Sequence, residues 1–183
     1  GFYTSFSNEL ILIPISLEKC SRRNITIKIE VMRVKSSEHG NGYIATPLVP
    51  CIHNSRRGPF LVNQTYTNAA YHKENPLFLD EIKIKLPLEP LTGDVDGQVV
   101  ILFTLFHVAV NSKKKWSLNG GNTEGQPSFM SQIGCGYFPL STETEISSLR
   151  PNGMYPVEIK YRSVSCQDSK TGTVFLEPLF VTT

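Results

Sequence analysis

The amino-acid sequence predicts an all-β protein, an antiparallel sandwich of about eight strands in two sheets. Three observations predict it. Residues 24–34 set Ile25, Ile27, Ile29 and Val31 on one face and Thr26, Lys28 and Glu30 on the other, and residues 80–86 repeat the pattern with Ile82, Ile84 and Leu86 against Lys83 and Lys85. Such period-two alternation is the mark of a strand with one face in a core and the other in water. Residues 99–106 are apolar except at Thr104, rich in β-branched and aromatic side chains, and preceded by the turn-like Gly93-Asp94-Val95-Asp96-Gly97, which favours a deeply buried strand over a helix. No segment carries a convincing amphipathic helical period, and many short strands separated by turns suit two packed sheets.

In chain order, residues 9–17 alternate apolar and other side chains, with Pro14 arguing for an edge strand because it cannot donate to a ladder. The basic connection 18–23 leads to strand 24–34. The pattern then breaks over residues 35–59, where Gly40, Gly42, Gly58, Pro47, Pro50 and Pro59 mark a long excursion holding at most a short strand near 43–48. Order resumes at 64–72, passes the Asn75-Pro76 turn, and continues in strand 80–86, which Pro87 and Pro90 stop. After strand 98–108 comes a Gly-, Asn- and Ser-rich loop to about Ser128. Strands at 132–140, 154–163 and 173–181 complete the set.

At 183 residues and 40% hydrophobic content the chain can bury one proper core, so a single domain over 1–183 is expected. With neither an initiator methionine nor a signal-peptide pattern at its start, it reads as a module of something longer. No apolar run approaches the roughly 20 residues of a spanning helix. A net charge of +2 is too small for a nucleic-acid polyelectrolyte. Cys20, Cys51, Cys135 and Cys166 lie far apart without metal-ligand spacing, which favours reduced thiols in an intracellular protein. The sequons at Asn24 and Asn63 pull toward secretion, but the first begins a predicted strand, a poor place for a glycan.

Local charge is more telling than net charge. If successive strands run in opposite directions, connections 18–23, 73–79, 109–131 and 164–172 share one end of the sandwich. They carry Lys19, Arg22, Arg23, Lys73, Lys113, Lys114, Lys115 and Lys170 against Glu18, Glu74, Glu124 and Asp168. The other end carries Lys35, Arg56, Arg57 and Arg150 against Glu38, Glu89, Asp94, Asp96, Glu143 and Glu145. A nearly neutral protein is thus expected to be polarised along its strands. Taken alone, Lys113, Lys114 and Lys115 read as a solvated loop; with the first connection beside them they read as a binding surface. The adjoining Trp116 reads either as a residue entering a membrane interface or as a cap on the core.

The run Tyr66 to Pro87, YTNAAYHKENPLFLDEIKIKLP, with its His-x-x-Asn-Pro-x-Phe, acidic pair and alternating Ile/Lys/Leu strand, resembles the first homology region, DHR-1, of the Dock (dedicator of cytokinesis) guanine-nucleotide exchange factors of the zizimin and related subgroups. The resemblance continues in Arg23-Asn24-Ile25-Thr26-Ile27-Lys28-Ile29, Leu102-Phe103-Thr104-Leu105-Phe106-His107-Val108 and Gly136-Tyr137-Phe138-Pro139-Leu140. It implies a C2-type β-sandwich that binds phosphoinositides, phosphatidylinositol 3,4,5-trisphosphate being the best-described case. It also implies that this module brings a separate Rho-GTPase exchange domain to the membrane, as a cytoplasmic, peripheral membrane protein. In that picture the headgroup meets basic residues of the first and fifth inter-strand connections, here Lys19, Arg22 and Arg23 with Lys113, Lys114 and Lys115. Other domains of the parent exchange factor are the further partners it implies.

No cofactor is expected, and no catalytic or metal site. HExxH, GxSxG, phosphate-loop and Rossmann signatures are missing, and His39, His53, His72 and His107 have no triad or ligand spacing. His107 reads as a hydrogen-bonded histidine of a buried strand. Calcium needs several converging carboxylates, yet Glu18, Glu74, Glu124 and Asp168 come one from each connection, so lipid binding is expected to be calcium-independent. The alternatives to a lipid module are a scaffold surface of the same exchange factor, its lysines meeting an acidic protein, or a secreted adhesion sandwich.

Overall fold

The computed structural model describes residues 9–18, 20, 22–36, 43–54, 58–71, 75–86, 97–109, 129–141, 150 and 152–161. Among them ten strands run β1 (Glu9–Leu12), β2 (Ile25–Ser36), β3 (Tyr43–Pro47), β4 (Ile52–His53), β5 (Leu61–Val62), β6 (Gln64–Tyr66), β7 (Ile82–Lys85), β8 (Gln98–Val108), β9 (Met130–Pro139) and β10 (Lys160–Tyr161). They form a four-stranded sheet in the order β1-β7-β4-β5 and a six-stranded sheet in the order β10-β9-β8-β2-β3, with β6 also on β2. Every ladder between these strands is antiparallel. The expected strand at 173–181 lies outside the described residues.

The long strands stand where sequence patterning puts them. β2 and β8 pair over their length, from Ile25 opposite His107 to Val34 opposite Gln98. β8 continues onto β9, where a bulge between Leu105 and Phe106 leaves Ile133 as the extra residue that packs on the core. Among the described strands β1 pairs with β7 alone, the edge position that Pro14 argued for. The core fills the space between the sheets with Ile25, Ile27, Ile29 and Val31 of β2, Val99, Ile101, Phe103 and Leu105 of β8, Ile82 and Ile84 of β7, and Ile52 of β4. Fully burying one such aliphatic side chain stabilises the fold by about 1.5–3 kcal/mol.

Two expectations change. The excursion 35–59 holds β3 and β4 and leads directly into β5, elements of two to five residues divided by Pro47, Pro50, Gly58 and Pro59, too short to show a period. The outer face of β2 does not simply meet water: Thr26 is buried, Met32 is 5% exposed, and Lys28 and Glu30 are largely covered and paired at 2.8 Å. The reason is lateral. On that face Val100 and Leu102 of β8 join Met32, Ala45, Val34, Cys135 and Tyr137 in a second apolar layer. The apolar run of β8, interrupted at Thr104 alone between residues 99 and 106, thus reflects a central strand buried on both sides.

Candidate functional site

The site candidate is the end of the six-stranded sheet where β2 begins, β8 finishes and β9 starts. The chain reaches it through Cys20, 4% exposed, whose Sγ lies 3.6 Å from the Arg22 carbonyl oxygen. It then turns into β2 at Asn24, whose φ of 56° is a left-handed conformation that asparagine adopts more readily than most side chains. This turn points the Asn24 carbonyl at β8, where it accepts the Val108 N–H at 2.8 Å. The preceding carbonyl, of Arg23, lies 2.7 Å from His107 Nδ1; a carbonyl can only accept, so Nδ1 carries the proton. On the far side of β8, Ala109 N–H donates to the Phe129 carbonyl at 2.8 Å. On the far side of β2, Ala70 N–H donates to the Ile25 carbonyl, also at 2.8 Å.

The strand ends therefore stand in one row. Arg22 and Arg23 are exposed on it, and Arg23 is joined to His107, two residues before Ala109, which with Phe129 bounds the connection that carries the lysine triplet. Lys19, Lys113, Lys114, Lys115 and Trp116 lie outside the described residues. The row also presents two aromatic residues that sequence patterning did not single out, Phe129 at 71% exposure and Tyr71, next to Ala70, at 56%. Neither carries a periodic signal: Phe129 fell in a predicted loop and Tyr71 at the end of a predicted strand. His107 is half-buried at the mouth of β8 rather than deep in the core, and its hydrogen bond to Arg23 ties the first connection to the fifth.

Elsewhere, His53 Nε2 sits 3.6 Å from Glu9 Oε1, without a hydrogen-bond partner among the described residues. Among the described residues no group of three or more His, Cys, Asp or Glu side chains is placed to hold a metal ion. Among the described residues Cys20, Cys51 and Cys135 form no disulfide, and Cys166 lies outside them. In the sequon at Asn24, Thr26 is buried and its hydroxyl donates to the Thr67 carbonyl at 2.9 Å. Among the described residues no helix is long and apolar enough to cross a membrane.

Comparison with known proteins agrees with this architecture. The family model described as the C2 domain in Dock180 and Zizimin proteins matches residues 3–152. The chain is 32% identical over 144 residues to dedicator of cytokinesis protein 9 of Mus musculus, an alignment covering 75% of this chain and 6% of that protein. Against dedicator of cytokinesis protein 8 of Homo sapiens it is 34% identical over 116 residues, 61% of this chain and 5% of the relative. Human dedicator of cytokinesis protein 7 is 29% identical over 119 residues, 63% and 5% respectively. The chain thus spans about a twentieth of the length of the relatives it matches. With a two-sheet antiparallel sandwich, and a family model matched over most of its length, this chain belongs to the Dock C2 family, the non-catalytic C2 domains of Dock180 and Zizimin proteins.

Proposed function

We propose that this domain binds anionic phosphoinositide membranes through basic connections at one end of the sandwich, and so recruits a Dock-family Rho GTPase exchange factor, of which it is one module, from the cytoplasm to the membrane surface. The observation that carries the reading is the contact of the Arg23 and Asn24 carbonyls with His107 and Val108. It fastens the first basic connection to the strand from which Lys113, Lys114 and Lys115 depart. Lys19, Arg22 and Arg23 with that triplet would form the headgroup site, and Trp116 would meet the interface. Arginine suits phosphate because its planar fork donates two parallel, charge-assisted bonds. The ligand class is an anionic phosphoinositide, phosphatidylinositol 3,4,5-trisphosphate among them, and calcium is not required.

Near an anionic bilayer each Lys or Arg contributes about 1 kcal/mol, so six supply at most roughly 6 kcal/mol before ordering costs. That corresponds to a Kd of tens of micromolar or weaker. The test is flotation with vesicles of phosphatidylcholine and phosphatidylserine, with and without phosphatidylinositol 3,4,5-trisphosphate. Replacing Arg22 and Arg23 together with Ala is expected to weaken binding roughly 30-fold, two charges at about 1 kcal/mol each. Replacing Lys83 and Lys85, exposed on the other sheet, removes the same charge elsewhere and is expected to change little. A cooperatively melting Arg22/Arg23 variant that floats like the native domain would sink the assignment; equal losses in both variants would mean diffuse attraction without a site.

A further inference from the structure

We infer that Phe129 and Tyr71 are interfacial anchors that enter the headgroup region of the bilayer, so that the domain docks on its row of strand ends with Arg22 and Arg23 between the two rings. The inference rests on the lipid-binding reading and goes beyond it by assigning a second, apolar mode of attachment to residues that bear no charge.

The placement follows from the backbone. Phe129 is bonded to Ala109 at the end of β8, Val108 is bonded to Asn24 at the head of β2, and Ile25 is bonded to Ala70 next to Tyr71. Neighbouring strands stand about 4.8 Å apart, so the row from Phe129 to Tyr71 is roughly 14 Å wide. The rings flank it at 71% and 56% exposure, and the two arginines lie inside it. Large aromatic side chains left in water at the tip of a sheet are costly. At a membrane surface the same chemistry is favourable, because aromatic rings settle at headgroup level while guanidinium groups meet phosphate. Exposed rings on either side of two exposed arginines match the layered chemistry of a bilayer surface, phosphate beside apolar chains, better than that of an acidic protein segment. Among the described residues of the first connection, Glu18 is the acidic group beside Arg22 and Arg23.

The two modes differ in salt response. Charge attraction is screened as ionic strength rises, whereas apolar transfer is not. Phe129→Ala is expected to weaken vesicle binding roughly tenfold, and by the same factor at low and high salt, with Tyr71→Ala acting in the same direction. The loss caused by Arg22→Ala is expected to shrink as salt is added.

The direct experiment uses vesicles of phosphatidylcholine, phosphatidylserine and phosphatidylinositol 3,4,5-trisphosphate, and a domain in which Trp116→Phe leaves Phe129→Trp as the single tryptophan. Its emission is expected to shift to the blue on vesicles and to be quenched by phosphatidylcholine brominated high on its chains. The control is Met154→Trp in the same background. Met154 is 82% exposed and belongs to the far end of β9, where the Tyr155 ring lies 5.2 Å from Phe138; no shift is expected there. Binding by flotation without a shift or quenching at position 129 would overturn insertion while leaving the lipid reading in place. No flotation of the native domain would overturn both. Should Phe129→Trp not fold, a native-like affinity of Phe129→Ala and Tyr71→Ala at high salt would overturn the inference by itself.

Discussion

Cys51 shows how a single buried group couples to the whole fold. It is 6% exposed, its N–H donates to the Val62 carbonyl at 3.3 Å and its carbonyl accepts from Lys85 at 2.7 Å, so it stitches the residue before β4 to β5 and β7. Burial penalises the thiolate and raises the thiol above its ordinary value of 9.0. The folded state therefore holds a proton that the unfolded chain releases at lower pH. The resulting stability is whole below about pH 9 and is lost as pH rises from there through the folded value. Denaturant titrations at pH 8 and above are expected to show native stability falling more steeply than that of Cys51→Ala; parallel slopes would show that burial leaves this thiol unshifted. At Thr67, by contrast, a side chain takes the place of a ladder partner. Its hydroxyl accepts the buried Ile27 N–H at 3.0 Å just beyond the end of β6, so Thr67→Val is expected to lower the unfolding free energy by about 1–3 kcal/mol, with Thr67→Ser close to native. Equal denaturation midpoints for Val and native protein would refute this account.

Among the elements, β8 carries the most information. Its inward residue Leu105 is fully buried and its outward residue Leu102 is 4% exposed. Truncating either to Ala removes the same atoms from a packed layer, so both are expected to cost about 2–5 kcal/mol. A conventional sandwich with a wet outer face would instead make Leu102→Ala nearly neutral, and urea denaturation of the two variants decides between them. β9 contributes a different constraint. A Cβ on Gly136 would collide with the Glu158 carbonyl and with Ile159 Cδ1 at 2.8 Å, so this glycine lets the segment leading into β10 lie against the strand. Gly97, at φ 81°, plays the corresponding part where the chain enters β8. β4 and β5, by contrast, are two residues each and form by pairing, β4 on β7 and β5 on β4, rather than through any local pattern.

At the scale of the molecule, its main pairing is non-local. β2 and β8 lie far apart in the chain, and joining Ile25 to His107 closes a long loop before any contact is gained. Refolding followed by stopped-flow fluorescence is therefore expected in milliseconds to seconds or slower; microsecond relaxation would contradict a topology dominated by this pairing. The same antiparallel ladders underlie the expected electrical polarity. No parallel pair occurs among the described strands, so the start of β2, which follows Arg22 and Arg23, and the end of β8 stand at one end of the six-stranded sheet.

What the sequence determined by itself is the class of fold and the position of its long strands, because side-chain period is a local property and β2, β7, β8 and β9 each carry enough residues to show it. It also carried the family, through motifs in order along most of the chain, and it put Arg22 and Arg23 at the surface, where they are exposed, since charged guanidinium groups leave a core. Tertiary structure alone decided the rest. The second apolar layer exists because Val100 and Leu102 meet Met32 and Ala45 from other strands, and no period within one strand reports what its neighbour offers. The pairing of Arg23 with His107, and the row that adds Phe129 and Tyr71, arise from register between segments remote in sequence. Register is set when whole strands align their buried faces, so the neighbours at a strand's end are known only once the sheet is formed.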